Sequence, residues 1–287
     1  MSSQSAAVST PAPPPVSTPL EGGDNYFTMV PKERVLLFDK EETPPWDASL
    51  PPVVPICESL ISKNYAVLDG FIDDDEALGL KQEIAKLYGD GKMKDGEIGQ
   101  GSAGTMGGVR KELRTDKVLW MEGDEPYVGK LLKRHIMRMD ILTQKINMLM
   151  KAIAPEGESR GLYVWEGASR SKIMATCYPA GGSKYVAHYD NPNQNGRKLT
   201  TILYLNEQWR APHGGSLRMK TQGKQVDIAP LFNRLLCFWS DRRCPHEVMP
   251  TAKGHDRFAI TIWYLDAAER NRAELRTIDE QHEAHTE

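Results

Sequence analysis

A mainly β fold with supporting helices is predicted for this sequence: a double-stranded β-helix (jelly roll) core buttressed by N-terminal α-helices. Three observations carry that expectation. The first half of the chain repeats apolar residues at helical steps, the second half breaks into many short β-rich runs separated by turns, and 287 residues suffice to bury one substantial core. Helices first and strands afterwards place the helices on one side of a double sheet.

Residues 1–50 open with the proline-rich run Thr10–Pro19, show no lasting apolar period and read as a disordered Pro/Ser-rich tail. Ile56, Leu60 and Ile61 then mark a short helix, and Tyr65 to Leu68 a strand. Ala77 to Tyr88 is helical, with Leu80, Ile84 and Leu87 on one face and Asp73, Asp74 and Asp75 available to cap it. The glycine-rich stretch Gly99–Gly108 does not follow a strand and open a helix as a phosphate loop requires, so a flexible surface segment is expected. From Tyr127 to Ile153 apolar residues recur at steps of three and four, which predicts one long amphipathic helix. His135 falls on that stripe, where a packed, hydrogen-bonded histidine is expected. Beyond Ser169 the predicted strands are Lys172–Tyr178, Tyr185–His188, Thr200–Asn206, Ser216–Met219, Val226–Ile228, Leu235–Trp239, Glu247–Met249 and Arg257–Leu265. Ala267 to Ala284 is charged and helical. The division is therefore a tail over 1–50, one domain over 51–270, and a charged C-terminal tail or helix end over 271–287.

Composition narrows the function classes. Lys and Arg total 36 against 39 Asp and Glu, a net charge of −3, so the cationic excess that holds nucleic acid is absent. No apolar run reaches the roughly 18 residues of a membrane span. The opening residues lack the cationic and apolar regions of a secretory signal, and the four cysteines are scattered, so a cytoplasmic and also nuclear location is expected, with the chain acting as a monomer.

The residues that converge on chemistry begin at His188-Tyr-Asp190. Positions two apart on a strand face one side, which would bring an imidazole and a carboxylate to one point. His246, 58 residues on, is the best third ligand. Two histidines and a carboxylate form the facial triad of non-haem Fe(II) oxygenases, which leaves coordination positions open. Taken alone, His-x-Asp is a weak signal. In the run Arg257–Tyr264, alternation puts Arg257, Ala259, Thr261 and Trp263 on one face, and an arginine facing into a barrel requires an anionic partner such as a bound carboxylate. Tyr204, sharing a face with Ile202 and Thr200, offers a phenol donor, and Tyr178 shares a face with Met174 and Thr176. His255, in the loop before Arg257, reads as a solvated histidine.

The blocks Met174–Pro179, Tyr185–Asn193 with Gly196-Arg197, Tyr204–Asn206, Gly214–Arg218, Asn233–Arg243, Pro245–Val248 and Arg257–Tyr264 occur in order. Together they closely resemble the prolyl hydroxylases that act on hypoxia-inducible factor. The likeness extends upstream through Arg114–Trp120 and spans roughly 53–270. It implies that His188, Asp190 and His246 bind Fe(II), and that Arg257 with Tyr204 grips the distal carboxylate of the cosubstrate 2-oxoglutarate. Tyr178, Thr261 and Trp263 become walls of that pocket. Arg197, Arg114 and Asp116 become the substrate-binding rim, with a pairing between Asp116 and Arg197. The implied reaction consumes O2, admits ascorbate as an auxiliary reductant, and hydroxylates the 4-position of a proline in a protein or peptide. A hypoxia-inducible factor and oxygen sensing come first as its setting. The alternatives are another protein, such as a ubiquitin-ligase adaptor or elongation factor Tu, and a non-catalytic jelly-roll binding module.

Overall fold

The computed structural model describes residues 50–98, 108–167 and 169–284. Residues 1–49 of the expected tail (1–50) and 99–107 of the glycine-rich stretch Gly99–Gly108 lie outside the described residues. Helix α1 (Val53–Lys63) buries Ile56, Cys57 and Leu60 on one face. It stops at Asn64, whose φ of 70° turns the chain directly into strand β1 (Tyr65–Asp69). Helix α2 (Asp74–Gly89) starts as its sequence dictates, because the Asp73 carboxylate accepts from the Asp75 and Glu76 amides. Helix α3 (Lys130–Ile153) begins three residues later than its apolar period suggested, since Val128 N–H closes a turn onto Glu125. Its N-cap residue, Gly129, has no side chain to offer. Glu83 of α2 caps it instead, accepting from the Leu131 and Leu132 amides at 3.2 and 2.9 Å.

Four short strands interrupt this helical half: β2 (Lys94–Asp95), β3 (Glu97–Ile98), β4 (Gly108–Val109) and β5 (Lys117–Met121). After α3 come β6 (Ser169–Arg170), β7 (Ile173–Tyr178), β8 (Tyr185–His188), β9 (Arg197–Tyr204), β10 (Leu217–Thr221) and β11 (Lys224–Ile228). The chain closes with β12 (Arg234–Trp239), β13 (His246–Val248), β14 (Arg257–Leu265) and helix α4 (Ala267–Ala284).

Two antiparallel sheets form the double-stranded core. The larger has the order β1-β12-β9-β14-β7-β5-β2, with β6 attached to β14, and the smaller has the order β11-β10-β13-β8. Helices α1 and α2 pack on the larger sheet through β12 and β14, and α3 packs across both helices. One continuous apolar cluster joins Leu60, Leu80, Ile84, Leu132, Met139 and Leu142 to Leu203, Leu236 and Ile260. The expected architecture is thus the observed one, with a correction to its layering. Strands β1 and β5, from the helical half, are members of the larger sheet. Strand β5 pairs with β7 from Lys117 opposite Cys177 to Met121 opposite Ile173, and just before it Arg114 forms a bridge to Tyr185 of β8. His135 is buried as expected but lies edge-on to Phe71, and its Nδ1 has no hydrogen-bond partner.

Candidate metal centre and its pocket

His188 and His246 meet because β8 and β13 are neighbours and the two residues stand directly opposite each other in the ladder. Nε2 of each lies 3.8 Å from Oδ1 of Asp190, and one ligand atom from each of the three side chains lies within 4.8 Å of the others. Each imidazole is aimed by the carbonyl two residues before it: Nδ1 of His188 donates to Val186 at 2.8 Å, and Nδ1 of His246 to Cys244 at 2.9 Å. A carbonyl only accepts, so Nδ1 of each carries a proton, which leaves Nε2 as the atom available to the shared centre.

Asp190 departs from the sequence-based reasoning. Strand β8 ends at His188, so alternation along a strand does not place the carboxylate. Three contacts do. The Asn191 amide donates to the Ser240 carbonyl at 2.9 Å, Arg197 Nη1 donates to the carbonyl of Asp190 at 3.0 Å, and the Thr200 hydroxyl donates to Oδ2 at 2.6 Å. Burial, with His246 adding to it, pushes His188 down to about 3. Burial alone would raise Asp190, yet His246, His188, Arg197 and the Thr200 hydrogen bond outweigh it and hold the carboxylate below its ordinary range. Two neutral imidazoles and one carboxylate are the forms that bind a divalent ion, and two nitrogens with one oxygen on a single side suit an Fe(II) facial triad. Among the described residues no other three His, Cys, Asp or Glu side chains converge in this way.

Arg257, 4% exposed, stands on β14 and reaches across to Gly215, just before β10 of the sheet that carries the two histidines. Its Nε donates to the Gly215 carbonyl at 2.8 Å, and its guanidinium stacks 4.7 Å from the Tyr178 ring and 5.0 Å from that of Tyr204. Among the described residues no acidic side chain pairs with it, which is a costly state for a buried charge. Among the described residues no acceptor takes the phenol proton of buried Tyr204. A fork and a phenol buried together without an anion fit a ligand carboxylate. Gly215 makes the seat possible: at φ +69° a Cβ there would stand 2.9 Å from Cδ of Arg257. Thr261 and Trp263 line the same strand. Trp263 stacks on Trp120 at 5.6 Å, lies 4.3 Å under the Arg197 guanidinium, and has no acceptor among the described residues for its buried indole N–H.

Asp116, expected to meet Arg197, has Arg114 as its partner. Arg114, two residues away, forks onto both oxygens of Asp116 at 2.8 and 2.6 Å, and Asp116 is 0% exposed. Arg114 also donates to the Glu97 carbonyl and lies 4.5 Å over the ring of Tyr185, which stacks on His188 at 3.8 Å. Arg114 and Asp116 therefore support the triad wall from inside, whereas Arg197 is partly exposed at its edge. His255 is exposed and stacks on His213 at 3.6 Å, away from the triad cluster. Thr200, Ser240 and Tyr185 were not singled out as site residues from the sequence. Thr200 had a signal, since it shares a strand face with Tyr204; Ser240 had none before the register of β12 with β9 was known.

Residues 173–265 match the family model described as the 2OG-Fe(II) oxygenase superfamily. The chain is 40% identical over 216 residues to Egl nine homolog 1 of Homo sapiens, covering 73% of this chain and 46% of that protein. It is 37% identical over 216 residues to prolyl hydroxylase EGLN3 of Mus musculus, covering 74% of this chain and 82% of that one. Among solved structures, it is similar to a prolyl hydroxylase from Trichoplax adhaerens in complex with a hypoxia-inducible-factor oxygen degradation domain peptide fragment. That match has TM-score 0.65 and 32% identity, and covers 76% of this chain and 91% of that one.

Proposed function

Because this chain belongs to the prolyl hydroxylase family of 2OG-Fe(II) oxygenases, we propose that it hydroxylates a proline, at the 4-position, in a protein substrate. A hypoxia-inducible-factor-type segment is the first substrate class to test, on the strength of the peptide bound by the Trichoplax relative. The observation that carries the reading is the convergence of His188, Asp190 and His246 in a core that also buries Arg257, for which no acidic partner is found among the described residues.

His188, Asp190 and His246 would hold Fe(II) from one side, leaving the opposite positions to the cosubstrates. Bound Fe(II), with 2-oxoglutarate and O2, supplies the oxidising chemistry that no side chain here can provide. Arg257 and Tyr204 bind the distal carboxylate of 2-oxoglutarate, the first as a bidentate fork and the second by donating its phenol proton. The rings of Tyr178 and Tyr204 keep the guanidinium in place, and Thr261 and Trp263, buried on the same face of β14, continue the pocket wall toward Arg197. Arg197, at the partly exposed edge, meets the peptide, while Arg114 and Asp116 hold the Tyr185 ring against His188. The protein's contribution is orientation: one proline carbon presented to one face of the metal.

Anaerobic addition of Fe(II) and 2-oxoglutarate to the full chain should give a visible metal-to-ligand charge-transfer band. Absence of the band in the wild-type chain would leave the non-catalytic binding module as the surviving reading.

A further inference from the structure

Two hydroxyls stand behind the carboxylate of Asp190 in a line that the iron and 2-oxoglutarate assignments do not use. Thr200 Oγ1 lies 2.6 Å from Oδ2 of Asp190 and 2.8 Å from Oγ of Ser240. Thr200 is 1% exposed and Ser240 is 0% exposed. The direction of the chain follows from counting protons. A carboxylate accepts only, so Thr200 spends its single hydroxyl proton on Asp190, and the contact with Ser240 can then be made only if Ser240 donates to Thr200. The result is a directed chain, Ser240 to Thr200 to Asp190, in which each bond polarises the next.

We propose that Thr200 and Ser240 are positioning residues that fix Asp190 as a one-oxygen metal ligand, an inference that rests on the triad being the iron site. Oδ2 is engaged behind the site by the Thr200 hydroxyl, while Oδ1 stands 3.8 Å from both histidine Nε2 atoms. With Oδ2 held, the carboxylate does not rotate to offer a second oxygen, and the positions opposite the triad stay open. Ser240 has further links to the segments of two of the ligands. Its carbonyl accepts from the amide of Asn191, adjacent to Asp190, and its amide donates to the Lys198 carbonyl on β9. Ser240 also opens the loop that runs from the end of β12 to His246. One residue thus ties the strand carrying Thr200 to the loop carrying Asp190 and to the loop that leads into His246 on β13. Because Asp190 lies beyond the end of β8, no ladder hydrogen bond does this work.

The test is Mn(II) binding to the metal-stripped full chain, read as free ion by electron paramagnetic resonance. Thr200→Val, which keeps the shape and removes the hydroxyl, should weaken Mn(II) binding about 10- to 100-fold, and Thr200→Ser should restore it to within about 3-fold of wild type. Ser240→Ala, which deletes only the outer hydroxyl, should lose about 3- to 10-fold and decides the matter if Thr200→Val does not fold. At saturating Fe(II) the KM for 2-oxoglutarate should stay within about 2-fold in Thr200→Ser and Ser240→Ala, since the Arg257 grip is separate. A rise in that KM matching the loss of metal affinity would mean general loosening of the pocket and would overturn the inference. So would wild-type Mn(II) affinity in a folded Thr200→Val, or in Ser240→Ala if the valine variant does not fold, provided that wild-type binding is abolished by His246→Ala. If His246→Ala binds Mn(II) as the wild type does, the triad assignment itself falls and this inference with it.

Discussion

Arg257 and Gly215 act as one unit, because the arginine has its seat only where the glycine leaves room. Arg257→Lys keeps the charge but loses the planar fork, so the KM for 2-oxoglutarate should rise by the equivalent of about 1.5 to 3 kcal/mol while iron stays bound. Steady-state kinetics alongside metal analysis checks this, and an unchanged KM would place the cosubstrate elsewhere. Gly215→Ala faces both a left-handed backbone at φ +69° and a Cβ 2.9 Å from Cδ of Arg257. It should cost about 1 to 2 kcal/mol of folding stability from the backbone alone and weaken 2-oxoglutarate binding as well. A denaturant titration with a parallel KM measurement would show both losses. At this scale the sequence was most informative for side chains that belong to a short motif. His188 and Asp190 are two apart, and Arg257 stands at the head of an alternating run. The hydroxyls behind Asp190 and the Arg114–Asp116 fork were not legible, since each depends on which strands become neighbours.

Helix α3 was legible to within three residues at its start and to the residue at its end because its apolar period is long, while what starts it was hidden in another helix. Gly129 cannot cap, and a Cβ at that position would overlap the Glu83 carboxylate that does the capping. Glu83→Ala should therefore lower stability by about 0.5 to 2 kcal/mol, seen as a drop in Tm with little change in the KM for 2-oxoglutarate. His135 on the same helix gives a pH signature. Burial, assisted by the nearby Arg138, takes it from 6.5 down to about 3. The unfolded chain therefore takes up a proton below 6.5 that the folded chain refuses until about 3. The contribution of this group to stability is fully present above 6.5 and is lost progressively as pH falls toward 3. Urea midpoints measured across that window should fall less steeply for His135→Leu than for wild type; identical slopes would contradict the assignment. The two- to five-residue strands β2 to β6 escaped notice for a different reason. They are too short to show a period, and their partners supply what their own sequences lack.

For the molecule as a whole, the double-stranded core and its helical buttress follow from the order of apolar periods along the chain. The mixing of the two halves does not. Strand β1 closes one side of the larger sheet and β5 joins near the other, so residues read as belonging to the helical half come to build the wall beside the triad. Only long-range pairing produces that, and no local pattern announces it. The central claim is that one pocket, held by His188, Asp190, His246 and Arg257, hydroxylates proline in a protein substrate. Its most direct test is mass spectrometry of a proline-containing hypoxia-inducible-factor-type peptide incubated with the full chain, Fe(II), 2-oxoglutarate and O2. The wild-type protein should add one oxygen atom to the peptide at proline and form succinate in step, and His246→Ala should do neither. Succinate formation by a chain that leaves every proline peptide unmodified would contradict the substrate class, and hydroxylation that survives His246→Ala would contradict the site.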